Sequence, residues 1–178
     1  MKIIDRKFYN GAQEKIARLK IAMFKEVCDL LESVPLSVNE ERDSNSGAAV
    51  RELIDAAFDT AKDWTKTQTG GIDWRKCRTI RGVQVCIGVE VQVSARSDLV
   101  VIDVMHLRSE IEKGAIDIGV IVVPSDRLSV FLTDRAPSFK ETVVAIEERM
   151  RADMLPLIVL SIEHDSAGTA LPKRRKQH

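Results

Sequence analysis

Glu90 and Gln92, in the stretch GVEVQV, set a carboxylate and an amide among valines. In an extended chain successive side chains alternate between faces, so Val89, Val91 and Val93 read as facing a core, with Glu90 and Gln92 together on the other side. Upstream, IDWRKCRTI and VQVCIGVEVQV flank Arg81-Gly82 and read as the two strands of a hairpin. Directly opposed residues of an antiparallel pair keep a constant index sum. A turn at Arg81-Gly82 therefore sets Asp73 opposite Glu90, with Cβ atoms about 5 Å apart, and puts Gln92 one pleat further along. A slip of one residue at the turn would undo this alignment.

Two carboxylates held that close repel unless a shared proton, an Arg or Lys cation or a metal ion offsets them. Carboxylate oxygens suit a hard divalent ion such as Mg²⁺, with Mn²⁺ as a substitute, and the Val91 carbonyl between Glu90 and Gln92 offers a further oxygen. A second reading stands beside this one: Asp73 and Glu90 pair with Arg75, Arg78 or Arg81 on a solvated face. The segment KDWTKTQTGGIDWRKCRTIRG gathers Lys62, Lys66, Arg75, Lys76, Arg78 and Arg81 against Asp63 and Asp73. An acidic centre ringed by cations is expected where a metal site must also hold a phosphate backbone.

The elements that would carry these residues can be read from periodicity. Ile16, Leu19, Met23, Val27, Leu30 and Leu31 recur at helical spacing and predict one amphipathic helix from Ala12 to Ser33, closed by Pro35. Val50, Leu53, Ile54, Ala57, Phe58 and Ala61 mark a second helix capped by Asn45 or Ser46. After the hairpin, Ser97 or Asp98 caps a helix that stops at Gly114. IDIGVIVV reads as a strand buried on both faces, LSVFLT as a short strand or turn, Phe139 to Met150 as a helix, and LPLIVLSIE as a last buried strand. That order gives an α/β fold, a mixed central sheet flanked by helices.

Composition bounds the rest. The 178 residues, 44% hydrophobic and 30% charged, fit a single soluble domain over 1–172, followed by the basic run Lys173 to Lys176, which reads as a solubilising tail or a binding arm. Zero net charge argues against nonspecific coating of nucleic acid. No segment has the apolar length of a membrane span or a signal peptide, and the expectation is a cytoplasmic protein. Cys28, Cys77 and Cys86 are too few and scattered for a disulfide framework or a zinc site and read as ordinary thiols of a reducing compartment. His106 reads as structural. The run Glu163 to Asp165 has metal-ligating residue types, but three adjacent side chains cannot all face one site.

An acidic residue at the start of one strand, followed by E-x-Q on the next, resembles the PD-(D/E)xK nuclease motif as BglII-type restriction endonucleases carry it. Asp73 and Glu90-Val91-Gln92 occupy these positions, and the resemblance extends over roughly Gly70 to Asp165. Ile72 stands where the motif's name has Pro, and Gln92 where the commoner motif has Lys. The resemblance implies a restriction-endonuclease-like core and a Mg²⁺-dependent, site-specific endonuclease acting on double-stranded DNA as a homodimer. Asp73 and Glu90 are then metal ligands, and Gln92 positions the attacking water. Glu52, in RELID, could send a helix carboxylate into the site or stand exposed. In the loops after the strands, Ser94, Arg96, Ser97, Ser125, Asp126 and Arg127 have side chains able to read base edges. Ser97 and Asp126 are equally suited to capping and turns. Lys62 and Lys66 are expected on phosphates, and Lys76 among the DNA contacts. A repair or nicking nuclease on the same core, and a DNA-binding protein with a decayed site, are the alternatives.

Overall fold

A computed structural model describes residues 1–19, 21–66, 71–94, 100–133 and 135–172. The element order is β1 (Lys2–Phe8), α1 (Ala12–Leu19), α2 (Ala22–Ser33), β2 (Ser37–Val38), α3 (Gly47–Thr60), β3 (Thr65–Lys66), β4 (Trp74–Ile80), β5 (Val83–Val91), α4 (Val100–Glu112), β6 (Ile118–Pro124), α5 (Asp126–Phe131), α6 (Phe139–Val144), β7 (Leu157–Glu163) and β8 (Ser166–Ala167). A π-helical turn, Ala145–Arg149, prolongs α6.

Six strands form a mixed sheet in the order β1-β7-β6-β5-β4-β3, and β2 pairs with β8 separately. Strands β5, β6 and β7 run parallel, which is why β6 and β7 are buried along their whole length. One face packs on α2 and α3 through Val89, Val91, Val120 and Trp74 against Val27, Leu31, Val50, Ile54 and Phe58. The other packs on α4 and the α6 region through Cys86, Ile121, Val123 and Val159 against Val104, Leu107 and Ile146. The chain is thus α/β with helices on both faces, as its periodicity predicts.

The hairpin register is the expected one: Trp74 opposes Val89 and Ile80 opposes Val83. Arg81 and Gly82 both take positive φ, 50° and 81°, the backbone of a two-residue turn whose twist matches the flanking strands. The same register opposes Cys77 and Cys86, and a disulfide joins them, with Cα atoms 4.1 Å apart. The reading of these two as ordinary thiols is therefore corrected; Cys28 is the free, buried cysteine.

Three elements differ from expectation. The helix predicted over Ala12 to Ser33 is two, since Ile21 leaves the helical region at ψ 91° before α2 begins. LSVFLT is helical over its first four residues, since Ser125 accepts from Leu128 N–H and starts helix α5, and Leu132 then makes an isolated bridge with Asn45. The opening KIIDRKF forms β1, an edge strand antiparallel to β7, whose exposed charges mask any alternation. Helix α3 begins at Ser46, which accepts from Ala49 N–H.

Candidate active site

Asp73 lies one residue before β4 and Glu90 one residue from the end of β5, so the hairpin presents both at one end of the sheet. Asp73 is locked by three groups. Its Oδ2 accepts from Val91 N–H at 2.8 Å, its Oδ1 meets Arg51 Nη2 at 2.6 Å, and it shares a hydrogen bond with Glu90. Glu90 is 3% exposed. Burial first, and then the charge of Asp73, push its carboxyl up to about 10, so in the metal-free protein it keeps its proton.

Helix α4 crosses over this face on its way from β5 to β6. Val100, Val104 and Leu107 anchor it to the sheet. That turns Asp103 and His106, one helical turn apart, toward Glu90. His106 Nδ1 stands 3.3 Å from Glu90 Oε1. The ligating atoms of Glu90, Asp103 and His106 all lie within 4.8 Å of one another. Burial, reinforced by Asp73, lifts Asp103 to about 7. Its Oδ2 is buried and finds no hydrogen-bond partner among the described residues.

Gln92 is 5% exposed. Its backbone N–H still donates to Val122 O at 2.8 Å, continuing the parallel ladder past β5. Its side-chain Nε2 is buried with no partner among the described residues, a costly state for an amide donor unless something else accepts from it.

On the opposite side of the strand ends stands α3. It contributes Arg51 rather than Glu52. Arg51 Nη1 donates to Val91 O at 2.6 Å, and Arg51 Nε meets Asp55 Oδ1 at 3.0 Å. Asp55 is in turn braced by Trp74 Nε1 and Lys66 Nζ, each at 3.0 Å. Glu52 is exposed and lines a groove with Ala49, Leu53, Asp59, Leu171 and Pro172.

The remaining residues singled out from sequence scatter. Lys66 lies beside the site through Asp55, with its ammonium 5.1 Å from the Trp74 ring centre. Lys76 is 3% exposed, its ammonium held by Glu26 and by Lys62 O. Ser94 follows β5 and is half-buried. Arg96, Ser97 and Asp98 lie outside the described residues. Ser125 is buried, capping α5 and donating to Glu163 Oε2 at 2.7 Å. Asp126 accepts from Lys140 N–H, and Arg127 pairs with Glu40 at 2.7 Å. Glu40 also meets His164, so His164 and Glu163 belong to this second polar cluster, whereas Asp165 accepts from Leu36 N–H and pairs with the Met1 amino group.

Sequence reasoning missed Arg51, Asp55, Asp103 and His106. For the last two a signal existed. They are spaced by three on the helix that must pass over the face carrying Glu90, and that spacing sets both on one side of it.

The oxygen-rich donor set of Asp73, Glu90, Asp103 and the Val91 carbonyl fits a hard divalent cation. Such a cation would favour the ionised forms of Glu90 and Asp103, which burial and Asp73 disfavour.

The restriction endonuclease BglII/BglIII family profile matches residues 4–162. Two solved structures share the fold. One is restriction endonuclease BglII complexed with a DNA 16-mer, with TM-score 0.67 and 16% identity over 93% of this chain and 79% of that one. The other is free BglII, with TM-score 0.59 and 16% identity over 93% and 81%. Among curated proteins, none matches this sequence.

Proposed function

Since the chain belongs to the BglII/BglIII family of restriction endonucleases, and so to the type II site-specific deoxyribonucleases, we propose that it hydrolyses double-stranded DNA with Mg²⁺ through Asp73, Glu90 and Gln92. The observation that carries this reading is the convergence of Asp73, Glu90 and Asp103 at one end of the hairpin, where burial and mutual charge raise Glu90 and Asp103 even with Arg51 on Asp73. Asp73, Glu90 and the Val91 carbonyl would hold the ion, with Asp103 beside them. When bound, such an ion polarises a phosphoryl oxygen and lowers the pKa of water. Gln92, whose Nε2 has no partner among the described residues, orients the attacking water by hydrogen bonding and adds no charge. His106 is placed to take up the proton that Glu90 gives up when it ionises. Lys66 neutralises a DNA phosphate next to the site, and Ser94, which follows the strand that carries Glu90, reads base edges together with Arg96 and Ser97.

The same reading takes 1–172 as one nuclease domain in the cytoplasm, working as a homodimer, because a two-fold DNA site is matched by a two-fold protein. Among the described residues, no helix is long and apolar enough to cross a membrane. Helix α4 bears Asp103 and His106 on its inner side and exposes Ile102 (45%) and Met105 (56%) outward, an apolar strip on which a second copy would pack.

Digestion of phage DNA with Mg²⁺, followed by sequencing of the cut ends, tests the proposal. A discrete ladder with one shared end sequence is expected. Scattered single-strand nicks would mean a repair or nicking enzyme, and intact DNA under Mg²⁺ and Mn²⁺ would mean a decayed site.

A further inference from the structure

Arg51 occupies two of the oxygens assigned to the metal. Its Nη2 lies 2.6 Å from Asp73 Oδ1 and its Nη1 2.6 Å from the Val91 carbonyl. The guanidinium is a planar fork, and here the fork spans the gap that an ion bound by both oxygens would fill. The other Asp73 oxygen is engaged by Val91 N–H. The side chain is one-fifth exposed, so these contacts are made largely out of water. Its third anchor, Asp55, is not among the proposed ligands and is itself fixed by Trp74 and Lys66.

We infer that Arg51 is a resident counterion: its guanidinium and a divalent ion exclude each other at Asp73 and the Val91 carbonyl, and loading the metal requires Arg51 to let go of both. This rests on the reading that Asp73 and Val91 hold the ion. Asp55 gives the displaced side chain a place to stay. With Nε still on Asp55, the two freed Nη groups become available to a phosphodiester oxygen, the kind of anion a guanidinium fork grips best. The exchange has a consequence for the resting enzyme. The protein without DNA binds metal weakly, because each ion must first break charge-assisted hydrogen bonds.

The test is titration of the DNA-free protein with Mn²⁺ alone, free ion being read by its electron paramagnetic resonance signal. Removing the competitor in Arg51→Gln should tighten Mn²⁺ binding by roughly tenfold or more, the scale of one lost charge-assisted hydrogen bond. Arg51→Lys keeps the charge but replaces the fork by a point donor, so its affinity should fall between wild type and Arg51→Gln. The inference is overturned if Arg51→Gln binds no tighter than wild type. It is also overturned if folded Arg51→Lys binds like wild type, which would make the effect one of net charge alone. Should melting show that Arg51→Gln does not fold, the Arg51→Lys comparison decides by itself. Asp73→Asn, made in the wild-type and Arg51→Lys backgrounds, separates the two levels. Mn²⁺ binding that survives Asp73→Asn removes the ligand reading. Binding that needs Asp73 but ignores Arg51 removes only the exclusion.

Discussion

Asp73 and Glu90 sit side by side, yet they tolerate neutralisation differently. Asp73 pairs with Arg51 and accepts from Val91 N–H, whereas burial and the neighbouring Asp73 raise Glu90 to about 10 in the metal-free protein. Glu90→Gln therefore replaces one neutral donor by another and should leave the melting temperature unchanged or raised at pH 8. Asp73→Asn takes from Arg51 the nearer of its two carboxylate partners, leaving Asp55, and should cost about 1–3 kcal/mol by denaturant unfolding. Both should abolish Mg²⁺-dependent cleavage, and near wild-type cutting by either would remove it from the site. Mutual repulsion predicts relief from both changes; for Asp73 it is offset by Arg51, which comes from α3 and not from the hairpin whose own arginines the sequence offers as partners. Asp103 gives a pH test. Its folded value, about 7, lies above the ordinary 3.8, so between these limits the folded state holds a proton that the unfolded state has released. The contribution is present in full below pH 4 and is lost as pH rises toward 7. Metal-free wild type should lose melting temperature across that window more steeply than Asp103→Asn, and equal slopes would show that Asp103 ionises freely.

At the level of elements, the hairpin was the most legible part of the chain, because a turn dipeptide and a period of two together fix a register. That register also contained the Cys77–Cys86 disulfide, since the pairing that opposes Asp73 to Glu90 opposes these two as well. Cysteine count and spacing along the chain hide a bridge that only strand pairing reveals. Because the bridge closes a loop of about ten residues, reduction should lower stability by roughly 2–3 kcal/mol, and equilibrium unfolding with and without dithiothreitol measures this. Gly88 is a second device of the same strand. A Cβ there would come within 2.7 Å of both Ile72 Cδ1 and Ile116 Cδ1. The bare backbone lets these side chains close over the sheet just before Glu90. Gly88→Val should therefore destabilise by about 1–3 kcal/mol through overpacking and shift the carboxylates that follow it. A stable, fully active Gly88→Val enzyme would show that this approach is not needed. The edge strand β1 and the break between α1 and α2 were not legible. The first carries exposed charge at four of its seven positions and leaves Ile4 exposed as well, so no alternation shows, and in the second, Ile16, Leu19 and Met23 keep a helical rhythm across a backbone that has left the helix.

Across the whole molecule, the parallel core β5-β6-β7 is what lets one helix serve two surfaces. The crossover from β5 to its parallel neighbour β6 lays α4 over the end of the sheet that carries Glu90. Its inner side must then meet Glu90 with polar groups, while its outer side is left to solvent or to another copy. The exposed Ile102 and Met105 occupy that outer side, next in sequence to Asp103 and His106. A dimer formed there would hold two sites in a fixed relation through a single helix from each copy, which cutting both strands of a palindrome demands. Replacing Ile102 and Met105 together by Ser should shift sedimentation from dimer to monomer. It should leave the far-ultraviolet spectrum intact, because neither side chain belongs to the buried core. On supercoiled plasmid such a monomer should give open circles before linear DNA, since each encounter brings one site to one strand. A Ser variant that stays dimeric places the interface elsewhere. A monomeric variant that still linearises plasmid in one encounter would show that one copy cuts both strands, and the two-fold reading of this enzyme would fall with it.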